Sequence, residues 1–460
     1  YDPDNGQVVF AYQDSDDSYK GKVCVVTIGY STLTAENYIG MSGGAVSFTG
    51  AAGAAGSPVV FRSATVSEID ATFDSNSNKI VIAYQQSTNS GYGAAIVGTI
   101  NNSDNSISFG SEVVFKSAST AFISTTFDSN SNKVVISYFP NGTSTAKAVV
   151  GTVSGTGISF GSEAQFSSTA ITYSSATFDS NSNKVVVAYR SNTTTHGTAV
   201  VGTVSGTDIS FGSIVAFNTS STHYPYTAFD STNNKILITY YDSNTYGTAI
   251  VGTVSGTSIS FGTEAVFSGS DAIGDQAPAS FSTVAGKFVI AWPISTTSNA
   301  VATATISGTN VSFGTAVAFD SGRVARPDSV YDSDIDKVVL VYKDHPNSQY
   351  GTTVSVGISG TDVTVGTPFV FEEGSSGFTT AAYDSNANRV VAAYYNQSNS
   401  SYGTATVIKP DSRATDRGQV ASGSSASVDI IGTVSENQNE LTAGQSYFVQ
   451  TDGTIALTAD

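Results

Sequence analysis

The sequence predicts an all-β protein: a β-propeller of about eight four-stranded blades, with seven as the alternative, followed by a small C-terminal β module. Three observations lead to this prediction. An aromatic residue, usually followed by Asp, recurs about every 51 residues along most of the chain. Each period holds four short strand-like segments, a, b, c and d, and this spacing is typical of propeller blades. No linker separates one period from the next, which disfavours a string of β-sandwiches.

The recurring aromatics, called landmarks below, define eight copies of the repeat, numbered one to eight in chain order. They are Tyr1, Phe73, Phe127, Phe178, Phe229, Phe281, Tyr331 and Tyr383.

Copy four displays the elements of the repeat most clearly. Segment a, residues 175–178, ends at the landmark, and Asp179 to Asn183 follow as a turn, because Asp, Asn and Ser side chains bond to nearby backbone. Segment b, residues 184–189, has an apolar β-branched run that predicts a strand buried on both faces. Segment c covers residues 198–204. Segment d covers residues 208–217 and contains Gly212, which predicts a bulge or bend.

The first and last copies depart from this plan. Copy one, residues 1–62, is the most divergent and includes an Ala/Gly-rich stretch at residues 50–56. Copy eight, from residue 381 to about 409, has no clear segment d. A propeller commonly closes when one terminus completes the sheet begun by the other, so we expect the missing strand from sequence preceding Tyr1 or from the tail. Because Tyr1 falls at the end of a segment a, the chain is expected to be a piece of a longer protein.

The predicted domain organisation has three parts. Residues 1–409 form the propeller. Residues 410–426 turn to Ser, Gly, Arg and Asp and are interpreted as a linker. Residues 427–460 form a small β module, interpreted as truncated, with strands expected at 428–434, 446–450 and 454–458.

Composition narrows the function classes. The 460 residues carry a net charge of −18, which disfavours a nucleic-acid partner because such binding relies on basic side chains. The single Cys24 rules out a disulfide within the chain and a zinc site built from cysteines. No apolar run approaches the roughly 18 residues of a membrane span, so no membrane insertion is expected. No cofactor is indicated.

Two parts of the sequence resemble a known group of proteins. The strings FDSNSNKVVVAY and YGTAIVGTVSGTSISFGTEAVF resemble repeats of tail-fibre and other virion proteins of marine bacteriophages, and LTAGQSYFVQTDGTIALTAD is similar to a terminal module of such proteins. The resemblance spans about residues 1–409 and 427–460. It implies an extracellular virion appendage that has other virion proteins as partners and plausibly touches the host surface.

A ring-bearing side chain recurs in the loops between segments b and c, and we interpret it as a candidate ligand contact. In a propeller the b–c loops and the d–a loops emerge on the same face, and aromatic rings with many nearby hydroxyls and amides suit sugar rings. Repetition would add avidity. The alternative is that each ring packs over the glycine that follows it. The b–c residues are Tyr19, Tyr92, His196, Tyr246, Tyr350 and Tyr402, and the d–a loops add Phe122, Tyr173, His223, Tyr224, Tyr226 and Phe378.

The turn after the landmark resembles a calcium loop at first sight. In the turns that begin at Asp74, Asp128 and Asp179, oxygen-bearing side chains occupy positions 1, 3 and 5. The later Gly and the bidentate Glu of such a loop are missing. We therefore interpret the aspartates as turn-forming residues and predict no metal site.

No catalytic group is indicated. The stretch from Gly40 to Gly44 matches G-x-S-x-G, but no helical pattern follows it. Glycoside hydrolysis needs two acids facing each other across a pocket. The acids of the d–a loops are not paired in this way by the sequence; they are Asp271, Asp275, Glu372 and Glu373.

The sequence therefore favours a non-enzymatic phage virion appendage that is structural, binds host-surface glycans through an aromatic-rich face, or both. A secreted or cell-surface bacterial lectin-like adhesin is the alternative. A polysaccharide depolymerase is the third hypothesis.

Overall fold

The structure, a computed structural model, describes residues 53–242, 246–269, 275–294 and 298–410, together with the backbone of seven strands outside these ranges. The chain divides into two compact units, residues 53–412 and residues 1–52 with 413–460. Apart from one 3-10 turn, Gln397–Asn399, all regular structure in the described residues is β. None of it is a helix long and apolar enough to cross a membrane.

The unit formed by residues 1–52 and 413–460 contains short antiparallel pairings. Strand Gln7–Asp14 pairs with Lys20–Thr27, and Ile39–Ser42 pairs with Ala45–Phe48 in a hairpin that contains the G-x-S-x-G match. Near the C-terminus three short strands pair; they are Ser427–Val428, Tyr447–Val449 and Ile455–Ala456. The last two lie within the strands expected from the sequence, whereas the first overlaps the expected strand 428–434 only at Val428. The predicted linker lies almost wholly outside the described residues.

In residues 53–410, copies two to eight each form an antiparallel sheet with strands in the order a, b, c, d. In several copies strand d is broken into two short segments. In three places the second of these segments continues without a break into strand a of the next copy.

The strands of copies two to four are Val59–Asp74, Lys79–Gln86, Tyr92–Asn101, Ser106–Phe109, Val113–Asp128, Lys133–Pro140, Ala146–Ser154, Gly157–Phe160, Ala164–Ser167, Ile171–Asp179, Lys184–Ser191, Gly197–Ser205, Asp208–Phe211 and Val215–Asn218. Those of copies five and six are His223–Asp230, Lys235–Tyr241, Gly247–Ser255, Ser258–Phe261, Ala265–Val266, Ala279–Ser282, Lys287–Ile294, Ser298–Ser307 and Asn310–Phe313. Those of copies seven and eight are Val324–Asp332, Lys337–Asp344, Tyr350–Ser359, Asp362–Val365, Phe369–Asp384, Arg389–Asn396 and Tyr402–Lys409, with Ala54–Ala55 beside the last.

Strand b is buried on both faces, as the sequence predicts. Residues Val185, Val186, Val187 and Ala188 of copy four are 0% exposed. Successive side chains of a strand point to opposite faces. Val185 and Val187 accordingly pack into the core shared with copy three, while Val186 and Ala188 pack into the core shared with copy five. Each sheet therefore lies between two others, and the core is divided into layers between neighbouring copies.

The turn after the landmark has the predicted chemistry. In copy four the Oδ1 atom of Asp179 accepts hydrogen bonds from the main-chain N–H groups of Asn181 at 2.9 Å and Ser182 at 3.0 Å, and Oδ2 accepts the Ser182 hydroxyl at 2.6 Å. Asn183 closes the turn in the left-handed region with φ 53°, which Asn tolerates better than most residues. The carboxylate is thus engaged by its own turn.

Gly212 interrupts strand d between its two segments, as predicted, and its main-chain N–H bonds to the carbonyl of Val201 at 2.9 Å. The sequence did not reveal the second reason for this glycine. A Cβ atom here would lie 1.9 Å from the carbonyl oxygen of Thr257 in the next copy. Only a residue without a side chain allows the two sheets to approach so closely.

Aromatic rings join each sheet to the next. A Phe near the end of strand d packs against the buried ring near the end of strand b in the following copy, with ring centroids 5.0–5.6 Å apart. The pairs are Phe61–Tyr84, Phe115–Tyr138, Phe166–Tyr189, Phe217–Tyr240, Phe267–Trp292, Phe319–Tyr342 and Phe371–Tyr394.

The sheet of copy eight is completed by the outer strand of copy one. Strand Tyr402–Lys409 pairs with Ala54–Ala55 and with the first residues of Val59–Asp74. The two sources expected from the sequence, residues before Tyr1 and the tail, are therefore both wrong. The inner strand of copy eight also contacts that of copy two, where the Thr380 hydroxyl oxygen lies 3.0 Å from Oδ1 of Asp70. This pairing joins the sheet of copy eight to the outer strand of copy one, and the described residues of this unit form several antiparallel sheets, consistent with a β-propeller-like fold.

Substituting Ala for Gly403 should destabilise this closing sheet. A Cβ atom at Gly403 would lie 2.4 Å from the ring of Phe61, so the ring must shift in a packed core. Overpacking of this kind costs about 1–3 kcal/mol. Chemical denaturation measures the loss. Gly157 is the matched control, since its Cβ would meet nothing closer than 3.7 Å, and an equal effect of Gly157→Ala would contradict the proposed packing.

Candidate functional site

The b–c loops and the d–a segments lie at the same end of the sheets, as expected. The main-chain N–H of Thr120, in a d–a segment, donates to the carbonyl of Gly91 in a b–c loop at 2.9 Å. Thr222 bonds in the same way to Thr195 at 3.0 Å. Loops from consecutive copies therefore combine into one face, which we call the loop face.

The predicted b–c ring residues are separate points on the loop face. Tyr92, Tyr350 and Tyr402 begin their c strands, and Tyr246 and His196 directly precede theirs. All five are half-buried, and none makes a ring–ring contact in the part of the chain that the structure describes. Tyr19 lies outside the described residues. The structure thus places these residues one per copy and does not bring them together.

A different set of side chains does come together. One residue in each of copies two to eight lies five positions before the landmark, at the start of the inner strand, and is half-buried. We call this set the crown; it comprises Glu68, Phe122, Tyr173, Tyr224, Gln276, Arg326 and Phe378.

Six of the seven crown residues have left-handed backbone. Their φ angles lie between 46° and 53°, a region that bulky side chains normally avoid. In all six of these copies the strand register slips at a bulge that contains the crown residue. A bulge re-aims a side chain away from the normal strand alternation. The same unfavourable conformation therefore recurs wherever a crown residue is presented.

The crown side chains converge. The rings of Tyr173 and Tyr224 have centroids 4.0 Å apart, and Phe122 meets Tyr173 edge-on at 5.8 Å. The guanidinium carbon of Arg326 lies 4.7 Å from the Phe378 ring centroid and 6.0 Å from that of Tyr224. Tyr224 and Arg326 belong to copies five and seven, which are not neighbours. The crown therefore brings together side chains from copies that are not adjacent in sequence.

A second row of rings supports the crown from strand b. Tyr241 stacks on His223 with centroids 4.7 Å apart and planes 10° from parallel, and it also meets Tyr224 at 5.7 Å. On the other side Tyr395 meets Phe378 at 5.7 Å. The ring contacts are therefore continuous through copies three to five, and a smaller patch lies at copy eight.

The charged members of the crown are only partly balanced. Arg326 Nε lies 3.8 Å from Asp275, and the guanidinium is about one third exposed. Burial raises the pKa of Glu68, although the hydrogen bond from the main-chain N–H of Phe122 and the positive charge of Arg326 both act to lower it. Burial and the nearby charge of Arg190 lower the pKa of His223, which favours its neutral form. The crown therefore combines uncharged rings with one guanidinium group, which can donate hydrogen bonds, and one carboxyl group, which can accept them.

A cavity of about 540 Å³ runs between the inner strands. One end lies at the residues two positions after the crown residues, and the other end lies at the landmark aromatics. Asp70 and Asp328 lie at its crown end, and the rings of Phe73 and Tyr383 are among those at its other end. Among the described residues no three His, Cys, Asp or Glu side chains come together to hold a metal ion. The cavity walls are otherwise formed by hydroxyl and small apolar side chains.

The acids singled out from the sequence have local partners. Asp275 accepts the main-chain N–H of Arg326 at 3.0 Å, and Glu372 accepts the hydroxyl of Tyr394 at 2.6 Å. Glu373 is exposed, and Asp271 lies outside the described residues. The carboxyl pair that the structure does bring together, Asp70 and Asp328, was missed because the two belong to copies two and seven. Both aspartates lie three positions before their landmarks, so an alignment of the repeats on the landmark places them in the same column.

Comparisons with known proteins identify no family. No protein-family model and no curated protein matches the chain. Among solved structures the chain is similar to a protein from Lactobacillus plantarum, with 13% identity and a TM-score of 0.49, covering 69% of this chain and 92% of that one. It is also similar to AofleA from Arthrobotrys oligospora, with 9% identity and a TM-score of 0.41, covering 70% and 92% of the two chains.

Proposed function

We propose that the seven sheets of residues 53–410 are the blades of one closed propeller, and that the crown at its axis is a platform for glycan binding. The protein would act by binding and not by catalysis. The ligand would be a neutral sugar ring or a short chain of such rings.

The observation that carries this proposal is the repeated left-handed backbone beneath large side chains. Such a conformation costs on the order of 1–3 kcal/mol for a non-glycine residue, and strain of this kind concentrates at ligand sites. Gly or Asn at the same position would relieve it. Tyr173, Tyr224 and Phe378 instead retain rings there. The bulges also have a structural role, since the main-chain N–H groups of Phe122 and Arg326 bond to Glu68 and Asp275 of the preceding copies. That role does not require a ring at the strained position.

The chemistry of the crown suits a neutral saccharide. The faces of Tyr173, Tyr224 and Phe378 can cover the apolar face of a sugar ring. Arg326 and Gln276 can donate hydrogen bonds to sugar hydroxyls, and Glu68 can accept them. The charge of Arg326 is already offset by Asp275 and Glu68, and the chain has a net charge of −18. These charges disfavour a strongly anionic polymer.

The biological setting proposed is a virion appendage, on the basis of the sequence resemblance alone. Contact with host-surface polysaccharide would then be an attachment step, and other virion proteins would be partners. The competing setting is a secreted or cell-surface bacterial adhesin. A protein inventory of purified virions distinguishes the two.

A depolymerase remains the competing activity, because Asp70 and Asp328 are two acids in one cavity. Their geometry favours a structural role. Both oxygens of Asp328 accept main-chain N–H groups, from Ser329 and Ala381, and Asp70 likewise accepts those of Ala71 and Thr125. A carboxyl group held in this way is poorly placed to act on a substrate, so we favour binding without cleavage.

A glycan array probed with the full chain tests the proposal. We expect binding to neutral saccharides with an accessible apolar ring face and no release of reducing ends during incubation. Release of reducing sugar would favour the depolymerase. Absence of binding across neutral and acidic glycans would refute the glycan platform.

A further inference from the structure

One hydroxyl group lies between the two carboxyl groups at the crown end of the cavity. The Oγ1 atom of Thr380 is 3.0 Å from Oδ1 of Asp70 and 3.0 Å from Oδ2 of Asp328. The second oxygen of Asp328 accepts the hydroxyl of Tyr226 at 2.9 Å. We call Asp70, Thr380, Asp328 and Tyr226 the axial chain. It joins copies two, five, seven and eight.

The number of protons determines what this arrangement can be. A hydroxyl group carries one hydrogen and can donate it to only one acceptor. If both carboxyl groups were ionised, one of the two 3.0 Å contacts would bring together two oxygens without a hydrogen. A proton on Asp70 resolves this, because Asp70 then donates to Thr380 and Thr380 donates to Asp328. Two carboxyl groups that share a site commonly retain one proton in this way.

The surroundings favour the protonated form. Asp328 is only 7% exposed. Burial and then the charge of Asp328 raise the pKa of Asp70 to about 6, and burial also raises the pKa of Asp328. Charged groups facing the chain from neighbouring elements are few: Glu68 on the strand of Asp70, Arg326 on the strand of Asp328, and Asp275 beside Arg326. Arg326 is the only cation of these three, and Asp275 lies beside it.

The axial chain lies directly behind the crown. Each of its members follows a crown residue by two positions in the same inner strand: Asp70 follows Glu68, Tyr226 follows Tyr224, Asp328 follows Arg326 and Thr380 follows Phe378. The hydrogen bonds of the chain therefore tie together the strand ends that present four of the seven crown residues. A change in the hydrogen bonds of the axial chain therefore acts on backbone that is only two residues away from a crown residue.

We infer that the axial chain binds one proton and that this proton holds the crown in its assembled form, so that the structure loosens and ligand binding weakens when the proton leaves. The effect on binding rests on the proposed function of the crown, whereas the effect on stability does not. Loss of the proton leaves two negative carboxyl groups on either side of Thr380 and removes one hydrogen bond, which drives the strands of copies two and seven apart.

The direction of the pH effect follows from the raised pKa. An aspartate with a pKa near 4 in the unfolded chain and about 6 in the folded chain favours folding most below pH 4. This contribution is lost as the pH rises through 6. The unfolding equilibrium constant should therefore rise by up to about a hundredfold through this group between pH 4 and pH 8.

The test compares the full chain with Asp70→Asn in thermal unfolding between pH 4 and pH 8. An Asn side chain can donate from Nδ2 to Thr380 and accept from Thr125 through its oxygen, so it imitates the protonated Asp70 at these two contacts. The Ala71 N–H loses its acceptor, which lowers the midpoint by a similar amount at every pH and leaves the pH dependence as the readout. We expect the midpoint of the wild type to fall with rising pH, and Asp70→Asn to remove most of that fall. Asp104→Asn is the charge-matched control, since Asp104 is exposed and is not part of the axial chain. The unfolding midpoint of Asp104→Asn should vary with pH as that of the wild type does.

A second variant protects the test against a folding defect. Thr380→Val keeps the shape of the side chain and removes the bridging hydroxyl, so its midpoint should be lowered at pH 5 as well as at pH 8. A pH profile for Asp70→Asn that parallels the wild type would overturn the inference. If a glycan ligand is found, its affinity should fall from pH 5 to pH 8 in the wild type and stay level in Asp70→Asn. A level affinity in the wild type would refute the coupling to the crown.

Discussion

Replacing Tyr224 by Asn should weaken glycan binding at least about tenfold, which corresponds to roughly 1.4 kcal/mol. The ring of Tyr224 lies between Tyr173, at 4.0 Å, and the guanidinium of Arg326, at 6.0 Å. A central aromatic residue that is surrounded by other contacts is the usual position of a binding hot spot. Because Asn tolerates a φ of 46° better than Tyr, the substitution should remove the ring without adding backbone strain. Isothermal titration with the best array ligand measures the effect.

The matched comparison is the triple variant Tyr92→Ala, Tyr246→Ala and Tyr350→Ala. It removes three rings from the loop face but leaves the crown intact. We expect its affinity to change less than that of Tyr224→Asn. If the triple variant abolishes binding and Tyr224→Asn does not, the binding site consists of the b–c residues predicted from the sequence, and the crown assignment is wrong.

Replacing Trp292 by Ala should destabilise the chain by about 3–5 kcal/mol, the usual cost of deleting a large buried aromatic side chain. Trp292 is 1% exposed and packs edge-on against Phe267 of the preceding copy at 5.0 Å. Its loss opens a void between two sheets, each of which relies on the other to cover its apolar face. Denaturant unfolding followed by circular dichroism measures the loss.

Trp292→Tyr is the appropriate control, because the seven other copies have Tyr at this position. The ring of Tyr189 in copy four, for example, packs on Phe166 at 5.5 Å. We expect Trp292→Tyr to cost about 1 kcal/mol or less, as for a substitution that keeps most of the packing. A small effect of Trp292→Ala would show that these two copies do not pack on one another as described.

Local features of the fold could be predicted because they depend on residues close together in sequence. The apolar run of strand b, with Val185 to Ala188 between turns, and the Asp179 turn needed only the order of side chains. The position of Gly212 also indicated the break in strand d. These elements recur in most copies, so the repeat itself supported each assignment.

The closing strand could not be predicted because its partner is distant in the chain. Residues 54–62 pair with Tyr402–Lys409, and nothing in their composition specifies a partner about 350 residues away. Ala and Gly dominate the stretch at residues 50–56 and do not favour a strand, although Ala54–Ala55 pairs there. In a ring, the first outer strand and the last open sheet are adjacent only after all other sheets have formed.

The crown was only partly visible in the sequence. The sequence analysis included its four rings among the aromatic residues of the d–a loops. It did not include Glu68, Gln276 and Arg326, because these side chains are not aromatic. Left-handed backbone at a bulky residue also leaves no mark in composition. The constant spacing of five residues before the landmark was the available signal, and it identifies all seven positions whatever their side chains.

A crystal structure of the full chain with its best saccharide ligand tests the central claim most directly. We expect a sugar ring over Tyr173 and Tyr224, on the proposed axis of seven blades and within hydrogen-bonding distance of Arg326. A saccharide bound instead beside Tyr92, Tyr246 or Tyr350, or in the cavity among the landmark aromatics, would contradict it.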